Sequence, residues 1–314
     1  MIPASFDYVR VSSVDDALSA LAEGGEDAKV LAGGQSLLPL LRLRLAYPST
    51  LVDLGPVAEL RGVRDDGDGL VIGAMTTHHD IVHDPLIKEH CPVIAQATSL
   101  VADPAVRHRG TFGGALAHAD PAGDLPAVAL ALDATFTIAA AGGSAGAGRR
   151  TVAAADFFVD YLETALAPGE VLVEIRVPKL GAGWAGHYEK FNRVSQAWAI
   201  VGVCAVVRRE GDSVAEARIG LTNMGPTPLR ATATEQALAG VSTGNRAAAS
   251  TGNGAGAATG SGAGVPAATG AVAAAAQQAA EGTSPSADLS AQPDYRQHLA
   301  RVLTRRALTR VLGS

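Results

Sequence analysis

The chain has 314 residues, 47% of them hydrophobic, and a formal net charge of −6. That length exceeds what one ordinary core needs and predicts two or three domains, while the acidic balance excludes nucleic acid as the main partner. Two cysteines, Cys91 and Cys204, are too few for a disulfide framework or for an iron–sulfur cluster, which takes about four protein ligands. The N-terminus has neither a basic n-region nor an apolar h-region, and no convincing apolar run reaches the roughly 20 residues of a membrane span. A soluble, cytoplasmic protein is expected, touching the inner face of a membrane only through partners.

In chain order, Ser12 or Ser13 caps a helix over residues 14–21, with Asp15 and Asp16 in its first turn and Gly24-Gly25 at its end. Lys29-Val30-Leu31 then ends a short apolar strand, and Ala32-Gly33-Gly34-Gln35-Ser36 follows. Two successive glycines let the backbone take dihedrals closed to other residues and bring its N–H groups close to a ligand. Gln35 and Ser36 add side-chain donors before the apolar residues 37–41. Strand, glycine turn and rows of N–H groups suit an anionic phosphate. The motif is neither the GxGxxG fingerprint nor a P-loop, and a lone Gly-Gly turn more often just reverses the chain. With a strand at 51–54, residues 1–58 read as a small α+β unit.

A second unit covers residues 59–178. Residues 60–64 and 69–74 read as a hairpin around Asp65-Asp66-Gly67-Asp68. Thr76 or Thr77 caps a helix carrying His78 and His79; adjacent helix residues do not share a face, so surface histidines are expected there rather than a metal site. A further helix is expected over 92–101. The second informative stretch is Arg109-Gly110-Thr111-Phe112-Gly113-Gly114-Ala115-Leu116-Ala117-His118-Ala119-Asp120-Pro121, with Asp124 beyond it. It repeats the hydroxyl and Gly-Gly pattern, and Asp120 and Asp124 offer acceptors for a ligand's hydroxyl or N–H groups. One such turn is bland. Two, each flanked by polar donors, point to one extended anionic ligand. A helix ends at 129–134 and a strand starts at 135; residues 142–148 read as a flexible hairpin loop, and residues 171–178 alternate with period two.

The third unit, residues 179–314, opens with strands around Tyr188-Glu189-Lys190 and over 198–207 and 215–221, then a helix over 231–238. Residues 241–291 are almost all Gly, Ala, Ser and Thr, too poor in apolar surface to offset their ordering entropy, and read as a mobile insertion. In residues 293–311, Tyr295, Leu299, Val302, Leu303 and Ala307 recur at helical spacing opposite Arg301, Arg305 and Arg306.

With both glycine motifs placed, the chain resembles the FAD-binding medium subunits of molybdenum hydroxylases, most of all those of aerobic carbon monoxide dehydrogenases. The residues that carry the resemblance are Ala32 to Pro39, Arg109 to Gly114, Ala117 to Pro121 with Asp124-Leu125-Pro126, and Tyr188-Glu189-Lys190. It implies an α+β fold: two subdomains of the vanillyl-alcohol-oxidase (PCMH) type clamping FAD, and a C-terminal domain with a three-stranded antiparallel sheet and helices. It also implies cofactor contacts. Lys29, Leu31, Ala32, Gly33, Gly34, Gln35, Ser36 and Leu37 would line the diphosphate and adenine side. Thr111, Phe112, Gly113, Gly114 and Ala115 would hold the other face of the diphosphate, and Ala117 and Asp120 would also line the cofactor site. Asp124 would meet the ribityl or ring region, Lys190 would sit by the isoalloxazine, and Val101 and Val173 would be apolar walls. Ala115 departs from relatives that carry Asn or Ser, and Trp198 from those with another aromatic residue near the flavin.

No triad, metal-ligand cluster or nucleophile elbow is present in the sequence, so no catalytic residue is assigned. The resemblance implies electron relay: from [2Fe–2S] clusters on a small partner subunit, through FAD, to a terminal acceptor such as a quinone. A large molybdopterin-binding subunit would oxidise the substrate, carbon monoxide, in a dimer of heterotrimers. The rivals are a stand-alone FAD oxidoreductase, with His118 as its candidate base, and a non-catalytic assembly scaffold.

Overall fold

The computed structural model describes residues 2–142, 148–243 and 267–313, and no helix among them is long and apolar enough to cross a membrane. The first sheet holds β1 (Asp7–Arg10), β2 (Ala28–Leu31) and β3 (Thr50–Asp53), all parallel, in the order β1-β3-β2. Parallel neighbours need crossovers. Helix α1 (Val14–Gly24) supplies one, burying Val14, Ala17, Leu18 and Leu21, with the Ser13 hydroxyl accepting from the Asp16 N–H at its start. Helix α2 (Leu37–Leu43) supplies the other.

The second sheet is antiparallel, in the order β4 (Val63–Asp66), β5 (Gly69–Gly73), β10 (Val171–Pro178), β6 (Thr135–Ala140), β7 (Gly148–Ala153). Between β5 and β6 run short helices: α3 (His78–His83), α4 (Pro85–His90), α5 (Pro92–Ser99), α6 (Pro104–Arg107), α7 (Phe112–His118) and α8 (Asp124–Ala131). Apart from α6, their apolar faces close one core with Ile72, Phe136 and Ile175 of the sheet. After β7 come α9 (Ala154–Phe157) and the small hairpin of β8 (Phe158–Asp160) and β9 (Glu163–Thr164).

The third sheet is antiparallel, in the order β11 (Trp184–Phe191), β12 (Val201–Glu210), β13 (Ser213–Thr222), β14 (Leu229–Arg230). The expected three strands are therefore joined by a two-residue fourth, too short to show as a pattern. Strand β12 is an apolar run because both faces are covered. Val201, Val203, Ala205 and Val207 meet α10 (Thr232–Leu238), α11 (Ala267–Ala276) and α12 (Pro293–Leu312), whereas Cys204 and Val206 join the core of the second sheet.

Two expectations on the C-terminal part are corrected. The tract 241–291 is not wholly loose: α11 lies within it, and Val272, Ala275 and Ala276 are buried in the same core as β12. Alanine costs a helix least and lets it pack closely, so few apolar atoms suffice. The part of that tract at 244–266, and most of the loop at 142–148, lie outside the described residues. In α12, Leu299, Leu303 and Ala307 are buried as expected, but Tyr295 is exposed and Val302 only half-buried. Arg296 is fully buried instead, donating to the Ile200 carbonyl and to Asp288 Oδ2. A count of hydrophobic spacing places this arginine outside, and the acceptors that bring it inside lie beyond the helix, Asp288 just before it and Ile200 far back in the chain.

Candidate functional site

The two glycine motifs meet. A Cβ added to Gly33 would stand 2.3 Å from the Arg109 carbonyl oxygen and 2.8 Å from the Gly110 Cα, so only glycine allows the loops to touch there. Gly34 is glycine for a different reason: its φ is +76, and Leu38 packs against its Cα side. Around this junction lies a cavity of about 950 Å³, at the upper end of the roughly 300–1,000 Å³ usual for ligand clefts. From the first motif Lys29, Ala32, Gly33, Gly34, Gln35, Ser36 and Leu37 line it; from the second, Thr111, Gly114, Ala115, Ala117 and Asp120. Val101, Asp124 and Lys190 complete the expected wall, and Gln196, Ala197 and Trp198 reach it from the third unit.

The motifs differ in what they offer. Among the described residues, the backbone N–H groups of Gly33, Gly34, Gln35 and Ser36 bond to no acceptor of the chain. Four consecutive unpaired donors on residues of a cavity wall are groups from which an anion can accept. In the second motif the corresponding donors are engaged. The Phe112 N–H reaches the Thr76 carbonyl at 2.9 Å and the Gly113 N–H the Ala74 carbonyl at 2.9 Å. The Gly114 N–H reaches Thr111 Oγ1 at 3.1 Å, capping α7. The second motif therefore brings shape and the Thr111 hydroxyl, whose proton remains available to an acceptor.

Four expected residues stand off the wall. Leu31 lies behind Gly34, within 3.3 Å of where its Cβ would be. Phe112 is fully buried in the second sheet's core. Gly113 packs on Ala74, 2.5 Å from an added Cβ. Val173, expected as an apolar wall, is buried in the core shared with α1 and its carbonyl accepts from the Ala74 N–H. Strand alternation turns it inward, away from the cavity.

Asp124 and Lys190 form a buried pair, each side chain 4% exposed, with Nζ 2.7 Å from Oδ2. The Tyr188 hydroxyl donates to Asp124 Oδ1 at 2.7 Å, and Lys190 also donates to the Leu100 carbonyl at 3.0 Å. Burial raises the Asp124 pKa, opposed by the Lys190 ammonium and the Tyr188 hydrogen bond. Burial and then the Asp124 charge push the Tyr188 phenol well above its ordinary range. The wall carboxylate Glu170 is tied to Arg150, whose hydrogen bonds hold its pKa below the usual value. His118 lines the cavity with Nε2 4.0 Å from Asp120 Oδ2.

Several wall residues escaped the sequence reading. Thr164, Leu166, Ala167, Pro168, Gly169 and Glu170 form one side of the cavity, and only Pro168-Gly169 marks itself as a turn. His78, expected on a surface, is 4% exposed and lines the cavity. His79 is half-buried, its ring stacked 4.0 Å from that of His108.

Residues 4–180 match the family described as the FAD binding domain in molybdopterin dehydrogenase, and residues 186–260 and 248–311 match the CO dehydrogenase flavoprotein C-terminal domain. The chain belongs to the family of FAD-binding medium chains of molybdenum hydroxylases. It is 46% identical over 232 residues to the carbon monoxide dehydrogenase medium chain of Hydrogenophaga pseudoflava, covering 73% of this chain and 78% of that one. It is 34% identical to the 6-hydroxypseudooxynicotine dehydrogenase complex subunit alpha of Paenarthrobacter nicotinovorans, over 99% of this chain and 96% of that one. Among solved structures it superposes on the carbon monoxide dehydrogenase of H. pseudoflava that lacks the Mo-pyranopterin moiety, with TM-score 0.86, 41% identity, and 100% and 99% coverage. This medium chain is thus an oxidoreductase subunit with an FAD domain. The residues present fit that cofactor: the free N–H groups at Gly33 to Ser36 match diphosphate oxygens, and the cavity continues past them to the Lys190 ammonium.

Proposed function

We propose that this chain relays electrons within a molybdenum-containing hydroxylase. They arrive from [2Fe–2S] clusters of a small partner subunit and leave to a quinone, while a large molybdopterin-binding partner oxidises carbon monoxide. The assembly is a dimer of heterotrimers. Bound FAD supplies the chemistry that couples one-electron donors to a two-electron acceptor. The chain's own residues bind and tune. Gly33 to Ser36 present N–H donors to the diphosphate, and Lys190 holds a fixed positive charge at the wall, which favours negative charge on a ring beside it. Carbon monoxide is the substrate favoured by the 46% identity over 232 residues, against 34% for the 6-hydroxypseudooxynicotine relative.

The observation that carries the reading is the contact of the two glycine motifs at Gly33 and Arg109, beside unpaired N–H groups. The test is co-expression with the neighbouring large and small subunits, followed by flavin analysis and assay of carbon-monoxide-dependent quinone reduction. We expect flavin bound in the complex. In Gly33→Ala the added Cβ pushes the loops apart at an overpacking cost of about 1–3 kcal/mol, so flavin affinity should fall roughly tenfold or more. A complex that never takes up flavin, or a lone chain that turns over a substrate by itself, overturns the proposal.

A further inference from the structure

His78 is a buried side chain that the electron-relay reading does not use. It lines the cavity, yet its Nδ1 is shut off from solvent and has no hydrogen-bond partner. Nε2 is not among the closed, unpartnered atoms and makes no bond to the described residues, so it is the ring nitrogen that keeps accessible surface. The ring is seated by its own backbone. The His78 N–H donates to the Gly110 carbonyl at 2.9 Å, and an added Cβ on Gly110 would come within 2.8 Å of His78 Cδ2 and 3.1 Å of Nε2. Gly110 is also what Gly33 rests on. His78 and the first glycine motif therefore flank the same residue.

Burial first, and the Arg107 charge second, lower the His78 pKa to about 4, so the ring is neutral at physiological pH. A neutral imidazole carries one proton. On Nδ1 it would be a buried N–H donor with no acceptor, a rare and costly arrangement; a lone pair left unpaired there costs less. The proton belongs on Nε2, where it faces the cavity. A histidine that merely filled the core would need no accessible nitrogen on a cavity wall.

We propose that His78 donates a hydrogen bond from Nε2–H to a diphosphate oxygen of the bound flavin dinucleotide. This rests on the reading of the cavity as the FAD site and adds a neutral side-chain donor to the four backbone ones. A neutral donor holds the diphosphate without placing a further charge beside Arg107.

The test uses the assembled complex stripped of flavin and retitrated with FAD and, separately, with riboflavin, which has no phosphate. His78→Phe keeps a flat ring and removes the donor; His78→Gln restores an N–H donor. We expect His78→Phe to lose about tenfold in FAD affinity with riboflavin binding unchanged, and His78→Gln to recover much of the loss. Should His78→Phe fail to fold, the tautomer is read in the wild type by nitrogen-15 resonances of labelled histidine, where Nε2–H is expected with FAD bound. Unchanged FAD affinity, equal loss for FAD and riboflavin, or an Nδ1–H tautomer overturns the assignment while the FAD site stands. A wild-type complex that binds riboflavin and FAD equally, or neither, overturns the site reading itself.

Discussion

Lys190 is held by two oxygens, Asp124 Oδ2 and the Leu100 carbonyl, and Asp124 in turn by the Tyr188 hydroxyl. With both side chains almost wholly enclosed, neither charge can be left alone cheaply. Lys190→Met is expected to cost about 3–5 kcal/mol, because it leaves a buried carboxylate without its counter-charge. Urea denaturation of the flavin-free chain measures it. The sign with pH is set by the raised pKa of Asp124. The folded chain keeps this proton where the unfolded chain, with a carboxyl near the ordinary value of about 3.9, has lost it. The group's contribution is therefore best below that value and declines as pH rises through the folded pKa. Removing Lys190 raises that pKa further, so the variant's deficit should narrow on acidification. Asp124 and Lys190 were both visible in the sequence as motif residues. Their pairing was not, because 66 positions separate them.

At the scale of elements, α7 shows how a motif serves two masters. Thr111 Oγ1 caps the helix by accepting from the Gly114 N–H, and the same hydroxyl stands on the cavity wall. Thr111→Ala is expected to lower the stability of the flavin-free chain by about 1 kcal/mol, the usual worth of an N-cap, and also to weaken flavin binding. Thr111→Ser should restore both; thermal melts and flavin titration check the two effects separately. The glycine motifs were legible because close backbone approach and positive φ leave a mark in composition: Gly33 and Gly34 cannot be replaced quietly. The strip from Thr164 to Glu170 carries no comparable mark. Its residues reach the cavity only because β8 and β9 turn the chain back beside α7. His78 was hidden for a related reason. The periodicity of α3 puts it between two half-buried neighbours, and its burial comes from Gly110, across the Thr77–Thr111 bridge.

In the whole molecule, the third sheet is not an appendage. Strand β13 lies on α8 so closely that an added Cβ on Gly220 would stand 2.1 Å from the Ala127 carbonyl, and Gly186 likewise abuts Val93. Through β11 this sheet carries Lys190 to the cavity, and through the following turn Trp198, which stays 56% exposed. Gly220→Val should force β13 off α8, costing at least the roughly 1–3 kcal/mol of an overpacked site and moving Lys190 relative to Asp124. Calorimetry should show a lower melting temperature, and flavin content should drop although no cavity residue has changed. An unaltered flavin content would mean that the sheet and the site are uncoupled.

The sequence by itself determined the parts that are local: the capped α1, the two glycine turns and the long apolar strand β12. Capping, turn dihedrals and hydrophobic period act over a few residues, so they are written where they act. Only the tertiary structure decided which glycine motif keeps its N–H groups free, that His78 and Arg296 go inside, that Val173 faces a core, and that α11 packs. Each of these depends on an acceptor or a covering face supplied from elsewhere in the chain, and burial is a property of the assembled fold.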